Sequence, residues 1–399
     1  MPTAASRPTW WPRFSSTLRS TALTARLGLA LGIAFGVCFL TGLLSYYQYS
    51  PWSWLPTPTG PEWGYRVTQG IHVTTGIASI PLILVKLWSV YPNVFRWPPF
   101  PSVRRTVERA SLALLVAASL IQLTTGFFNV LGWYPFRWDF IVVHYALAYV
   151  VIGSVLLHVG IKLPDINYGL RAKLPAADVL TEVPWNENPD SHSNAGDRPA
   201  PETPAISRRG VLAATGAGVG IVVLGTVGQS VPLLEPIGLL APRRPSRGPL
   251  GLPVSKTAEE ASVADPASAP DWRLEVTGPR PYTLTLAEVE ALPAVEEELP
   301  FPANEGWSAR ARWRGPRLLD LVQRAGGTDS SVVRVFSLEP RGPFNKSTVE
   351  GDQLTRAVLA THLNGGRLSA DQGYPLRLIV PNRAGLFDTK WITRVEVLS

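Results

Sequence analysis

Three of the five histidines in this 399-residue chain, His72, His144 and His158, fall inside apolar segments. An ionisable ring in hydrocarbon is costly to keep without a task. Neutral imidazoles on facing helices of a dry bundle are a ligand set for haem iron. His72 stands near the start of one apolar run and His144 near the start of the next but one, so both are expected at similar depth. His158 follows His144 by fourteen residues, which on a helix returns to within about 40° of the same face, roughly 21 Å deeper. Fourteen residues after His72 the chain has Lys86. A second, deeper haem would therefore use His158 without a matching histidine; a core histidine or a hydrogen-bond partner for a quinone are its other readings, and Lys86 reads as a snorkelling residue near the interface.

The elements that would position these rings are apolar runs at 27–47, 67–90, 110–131, 140–162 and 210–230, each near the roughly 20 residues that a bilayer requires. The spacing predicts five spanning helices. Arg7, Arg13, Arg19 and Arg26 precede the first run, and Arg96, Arg104, Arg105, Arg109, Lys162, Arg171 and Lys173 fall in the second and fourth connections. By the positive-inside rule these are cytoplasmic. Trp52, Trp54, Trp63, Trp133, Tyr134 and Trp138 mark the opposite interface. Five spans then put the carboxyl-terminal region outside the plasma membrane. The net charge of +7 and the isoelectric point near 9.6 come from residues scattered at the ends of apolar runs, which fits membrane orientation and not nucleic-acid binding. A single cysteine, Cys38, excludes an intrachain disulfide framework and a cysteine-rich metal site.

The second group of chemically suggestive residues lies near the carboxyl terminus. The stretch Ala303-Asn304-Glu305-Gly306-Trp307-Ser308 is followed by Trp313-Arg314-Gly315, then Asn364-Gly365, Gly373-Tyr374-Pro375-Leu376-Arg377-Leu378 and Thr389-Lys390-Trp391. In order and spacing these phrases resemble the molybdopterin-binding domain of the sulfite oxidase family over 272–399. That resemblance implies an α+β fold, a molybdopterin cofactor and oxygen-atom transfer. It also implies cofactor contacts from the loop Ala303, Glu305, Gly306, Trp307 and Ser308, from Gln372, and from the basic residues Arg341, Lys346, Arg377, Arg383 and Lys390. Two positions depart from the family pattern. Ala303 stands where the family's cysteine thiolate binds molybdenum, and a methyl group has no lone pair to offer. Gln372 stands where many relatives have histidine. Residues 27–163 resemble the cytochrome b561 and ferric-reductase-like membrane cytochromes, including the haem partner of the periplasmic methionine sulfoxide reductase, which implies one haem b and a possible second.

Between these halves, 164–206 is polar, with Asn186-Glu187-Asn188-Pro189-Asp190-Ser191-His192, and reads as a cytoplasmic linker after a basic tail at 1–26. Ser207-Arg208-Arg209-Gly210 opens the fifth span, 207–232, and resembles an internal twin-arginine export signal. The stretch 233–270, rich in Pro, Ala and Ser from 241 on, reads as a tether ahead of a domain at 271–399. Alternation predicts strands at 272–276, 282–285, 332–338, 375–380 and 391–397, with helices at 287–291 and 318–325. His362 reads as a structural residue on a helix. The whole is a multi-domain chain, an all-α membrane bundle plus an α+β domain. Two functions follow from the sequence. The first is a membrane-bound oxidoreductase passing electrons between a small-molecule site outside and the quinone pool through haem b; the second is a non-catalytic binding domain of the same fold on a cytochrome anchor.

Overall fold

The computed structural model describes residues 18–51, 54–55, 57–95, 102–136, 138–174, 207–340 and 345–398. Two compact units divide the chain, one of Met1–Phe39, Thr75–Phe127 and Phe136–Val223, the other of Leu40–Thr74, Phe128–Pro135 and Leu224–Ser399.

Five long helices supply the first unit and parts of the second: α1 Thr21–Tyr49, α2 Gly64–Val90, α3 Val103–Leu131, α4 Phe140–Arg171 and α5 Arg208–Val227. All five are long and apolar enough to cross a membrane. Their exposed large side chains, such as Ile33, Leu84, Leu114, Leu156 and Ile221, present apolar surface, as expected of faces solvated by lipid. Polar groups in the first unit satisfy backbone at helix ends. Arg26 donates to the carbonyls of Gly169, Leu170 and Ala172 at 3.0–3.3 Å, closing the carboxyl terminus of α4. Gly169 makes that approach possible, because a Cβ there would lie 2.6 Å from the Thr21 carbonyl. The Lys86 amine donates to the Thr24 carbonyl at 2.7 Å, and Lys162 pairs with Glu108 at 2.5 Å. Arg7, Arg13, Arg96, His192 and the linker core lie outside the described residues.

In the second unit an α+β domain is built on three sheets. β1 Arg273–Thr277, β2 Tyr282–Thr285, α6 Ala264–Ser268, α7 Leu286–Ala291, α8 Leu318–Arg324 and β5 Val332–Ser337 fall within about two residues of the elements legible in the sequence, apart from α6. The remaining elements are β3 Ala294–Pro302, β4 Ser308–Pro316, β6 Lys346–Val349, α9 Asp352–Arg356, β7 Val358–Ala360, β8 His362–Leu363, β9 Gly366–Arg367, β10 Arg377–Ile379 and β11 Ile392–Leu398. The largest sheet has the order β2-β1-β11-β5-β6, with β1 and β11 parallel and the other pairs antiparallel. Its core packs Leu274, Val276, Val333, Val335, Ile392 and Val395 against Leu318, Leu321 and Val322 of α8. The second sheet, β3-β4-β8-β9, carries the long hairpin whose turn is the Ala303–Trp307 loop. β4 alternates strictly: Ala309, Ala311 and Trp313 are buried, while Arg310, Arg312 and Arg314 are exposed. Arg310 and Arg312 face Glu298 and Glu296 across the hairpin at 2.9 and 3.5 Å. His362 lies on β8, not on a helix, and hydrogen bonds through Nδ1 with Thr361 at 2.9 Å.

Candidate functional site

The loop at the turn of the β3–β4 hairpin is closed on itself by Ala303 N–H to the Trp307 carbonyl, 2.8 Å, and Gly306 N–H to the Ala303 carbonyl, 3.1 Å. Gly306 has φ +92°, and a Cβ there would come within 2.7 Å of Val73, so only glycine serves. Each carbonyl at the tip is taken by a side chain of a helix end within the same unit. The Asn304 carbonyl accepts from Gln69 at 2.6 Å and Asn129 at 3.0 Å, the Glu305 carbonyl from Gln229 at 3.5 Å, and the Gly306 carbonyl from Ser230 Oγ. Asn129 also accepts from Asn304 Nδ2 at 3.2 Å and from Tyr134 at 2.8 Å. Ser308 N–H donates to the Gln229 carbonyl at 2.8 Å. Gln69, Asn129, Gln229 and Ser230 were invisible as a set in the sequence, because their common target exists only in three dimensions.

Ala303 is 3% exposed and sits in an apolar cluster with Leu252, Phe301, Trp307, Trp313 and Ile379. Behind it lies a polar layer. The Arg377 guanidinium is buried, donates to the backbone and side-chain oxygens of Gln372 at 3.1 and 3.3 Å, and stacks over Phe301 and Trp313 at 4.7 and 5.3 Å. Asp388, which accepts from Val380 N–H at 3.0 Å, is pushed up to about 7 by burial, with Arg377 and Arg383 opposing. Burial draws Arg377 and Arg383 down to about 10. Glu305, also buried, is raised by desolvation; a hydrogen bond from Ser255 and the charges of Arg243 and Lys390 pull the other way.

Residues 248–258 cross this layer as a strap. Gln372 Nε2 donates to the carbonyls of Leu252, 2.6 Å, and Pro249, 3.3 Å. The Lys390 amine donates to the carbonyls of Lys256, 2.5 Å, and Asp371, 2.9 Å. Asn364 Nδ2 donates to the Leu250 carbonyl at 2.7 Å, and Ala258 N–H donates to Asp371 at 2.9 Å. Leu252 is fully buried among the aromatic residues of the loop cluster, and Ala258, Ala261, Val263 and Ala267 pack on Trp391. The Pro/Ala/Ser composition reads as a tether, but here these small residues are what allow close packing on the sheet. Of the candidate cofactor contacts, Ala303, Glu305, Gly306, Trp307, Ser308, Gln372, Arg377 and Lys390 come together; Lys346 is exposed on β6, and Arg341 lies outside the described residues.

In the helices, His144 on α4 hydrogen bonds through Nδ1 with Thr125 Oγ1 at 3.2 Å, and a Cβ on Gly126 would lie 3.3 Å from its Cε1. His72 on α2 faces Gly42, whose Cβ would lie 2.9 Å from its Cε1. Glycine beside each ring lets the imidazole pack where a side chain would otherwise stand. His158 is half-buried on α4. Among the described residues no three His, Cys, Asp or Glu side chains group around a metal-sized point.

The carboxyl-terminal region holds an oxidoreductase molybdopterin-binding domain of sulfite oxidase type, as its similarity to known proteins shows. Residues 261–399 match the family described as oxidoreductase molybdopterin binding domain. The chain is 30% identical to mitochondrial sulfite oxidase of Drosophila melanogaster over 32% of its own length and 27% of that protein. It is 26% identical to the protein-methionine-sulfoxide reductase catalytic subunit MsrP of Campylobacter jejuni, over 34% of its length and 52% of that protein. Among solved structures, the sulfane dehydrogenase SoxCD of Paracoccus pantotrophus aligns over 32% of the chain and 38% of its own, at 19% identity and a TM-score of 0.30. The chain thus spans well under two thirds of these relatives. A domain of this type suggests a molybdenum cofactor. The side chains at the loop do not fit one as they stand, since Ala303 offers no ligand atom, Leu252 packs beside it, and the donors of Gln372 and Lys390 are spent on strap carbonyls.

Proposed function

We propose that this chain is a membrane-bound haem b electron-transfer protein whose molybdopterin-type domain is a closed, non-oxotransfer module clamped to the helix ends. The observation that carries this reading is the strap: Leu252, Ser255 and the carbonyls of 249, 252 and 256 engage the residues that the sequence assigns to the cofactor. An alanine at position 303, where the resemblance expects a thiolate, agrees with it. His72 and His144 would hold the haem, which supplies one-electron chemistry. This chain's own contribution is to orient the His144 ring through Thr125 and to seat the His72 and His144 rings closely against Gly42 and Gly126. Quinone in the bilayer is the proposed electron partner, His158 a candidate for a second haem or a quinone contact, and the plasma membrane, with the carboxyl-terminal domain outside, the proposed location.

The second reading, a molybdenum enzyme acting on a small molecule, is supported by the family match over 261–399. Iron and molybdenum per chain in the purified full-length protein separate the two. The expected result is a reduced b-type spectrum with iron and negligible molybdenum, even when the chain is made together with cofactor biosynthesis. Stoichiometric molybdenum with sulfite or sulfoxide turnover would overturn the closed-module reading.

A further inference from the structure

The segment that leaves α5 does not run straight away from it. Leu240 N–H donates to the carbonyl of Gly225 at 2.8 Å, so the chain doubles back to the last turn of the helix. Two glycines make this possible. A Cβ on Gly225 would lie 2.9 Å from Leu240 Cδ1, and one on Gly228 would lie 2.5 Å from the Leu234 carbonyl oxygen and 2.9 Å from the Gly238 Cα. Gly225 is two residues inside the helix end at Val227, about 3 Å back along the axis. Leu240 therefore returns to the level of the last turn of a candidate span.

What this loop presents is apolar. Leu233 is 87% exposed, Leu239 77% and Leu240 55%, with Val231 and Ile237 also open. Five large hydrophobic side chains in ten residues form an exposed patch that calls for a partner. The one charge among them, Glu235, accepts from Ser246 Oγ at 2.5 Å. Most backbone N–H groups are consumed, as a hydrocarbon setting favours: Val231, Leu234, Gly238, Leu239, Leu240 and Ala241 donate to backbone carbonyls, and Pro232 and Pro236 have no N–H. Arg244 and Arg247 follow directly, where guanidinium groups meet lipid phosphates.

We propose that residues 231–240 form a shallow re-entrant loop that embeds its leucines in the bilayer leaflet at the carboxyl end of α5, with Arg244 and Arg247 at the headgroups. The partner is a phospholipid surface. The loop fixes the height of Gln229 and Ser230, whose side chains hold the Glu305 and Gly306 carbonyls, so lipid contact and loop docking share one anchor. This inference rests on α5 spanning the membrane.

The test uses the full chain in Cys38→Ser background, reconstituted in nanodiscs of phosphatidylcholine and phosphatidylglycerol. A single cysteine carrying an environment-sensitive fluorophore is placed at Leu239, at Leu224 on α5, or at Asp329 on the exposed surface of the domain. Quenching by lipids spin-labelled high on the acyl chain is compared with quenching by aqueous iodide. Leu239→Cys is expected to follow Leu224→Cys, quenched several-fold more by lipid than by iodide, with Asp329→Cys showing the reverse. Leu239→Cys following Asp329→Cys while Leu224→Cys stays with lipid would overturn the loop and leave the span standing, assigning the patch to a protein partner. Iodide quenching at both Leu224→Cys and Leu239→Cys would overturn the span and the loop together.

Discussion

At the scale of single residues the sharpest expectations concern the imidazoles and the buried lysine. Replacing His144 by Ala should remove the haem spectrum, and His72→Ala should do the same, while His158→Ala leaves most of it. Retention of the full reduced spectrum in both of the first two variants would exclude them as ligands. Gly126→Leu should weaken haem retention although both proposed ligands are kept, because its side chain would be forced against the His144 ring. Lys390 is drawn down to about 7 by burial, chiefly, with Arg377 adding to it. Above that pH the neutral amine still has two hydrogens for the carbonyls of Lys256 and Asp371. The unfolded chain, with an ordinary lysine, binds more protons between about pH 7 and 10, so stability rises with pH across that window, by up to about 1.4 kcal/mol per unit for one group. Thermal unfolding in detergent micelles should show a melting temperature climbing from pH 7 to 9, and Lys390→Met should flatten the climb. A slope unchanged in the variant would assign the pH dependence to other groups.

Among elements, the strap is the one on which the proposed closed module depends. Gly248, at φ +144°, has the Leu252 carbonyl oxygen 2.1 Å from where a Cβ would be, so Gly248→Ala should detach the strap. Leu252→Ala removes a fully buried side chain and should cost about 2–5 kcal/mol. In both variants hydrogen exchange of the 248–258 amides should accelerate by orders of magnitude relative to the β1–β11 core; equal protection in all three proteins would show that the strap is not held by these contacts. Ala303→Cys alone is expected to leave molybdenum content negligible, since Leu252 still packs beside the new thiol. Combined with Gly248→Ala and cofactor biosynthesis, it is the variant in which metal uptake should rise. On the other side of the loop, Gln69→Ala with Asn129→Ala strips both donors from the Asn304 carbonyl, a loss of about 1–3 kcal/mol for a buried group left unpaired.

Considered as a whole molecule, the chain joins helices fit for a membrane to a domain whose loop is held by side chains from the ends of those same helices. Thr59 donates to Asp352, Gln353 to Thr57 at 2.5 Å, Arg356 pairs with Glu62 at 2.5 Å, and Asn382 accepts from Tyr65 N–H at 2.7 Å. These contacts and the strap leave little free tether between α5 and the domain. Protease added to the intact membrane from the domain side should therefore cut slowly within 241–271, and faster after Gly248→Ala. Rapid cleavage of the unmodified chain there would contradict the packed strap. Replacing Arg208 and Arg209 together by Lys should strand the domain in the cytoplasm if the twin-arginine reading holds, a result that reporter fusions at the carboxyl terminus would show.

The sequence by itself determined what depends on local pattern. Continuous apolar runs announced the five long helices, alternation announced β1, β5 and β11, and the spaced phrases from Glu305 to Trp391 announced the domain type, because each of these signals is carried by neighbours in the chain. Three things were settled only by tertiary structure. β3 was hidden because Glu296, Glu297 and Glu298 look unlike a strand until Arg310 and Arg312 of β4 stand across from two of them. The stretch 248–258 looked like a tether because small residues and prolines carry no local pattern, yet its carbonyls are the partners of Gln372 and Lys390 more than a hundred residues away. And the hold on the loop at Ala303 comes from Gln69, Asn129, Gln229 and Ser230, three separate stretches of chain whose side chains take its carbonyls. Hydrogen bonds of that sequence separation leave no periodicity to read, so only the folded chain could show how the loop and the strap are held.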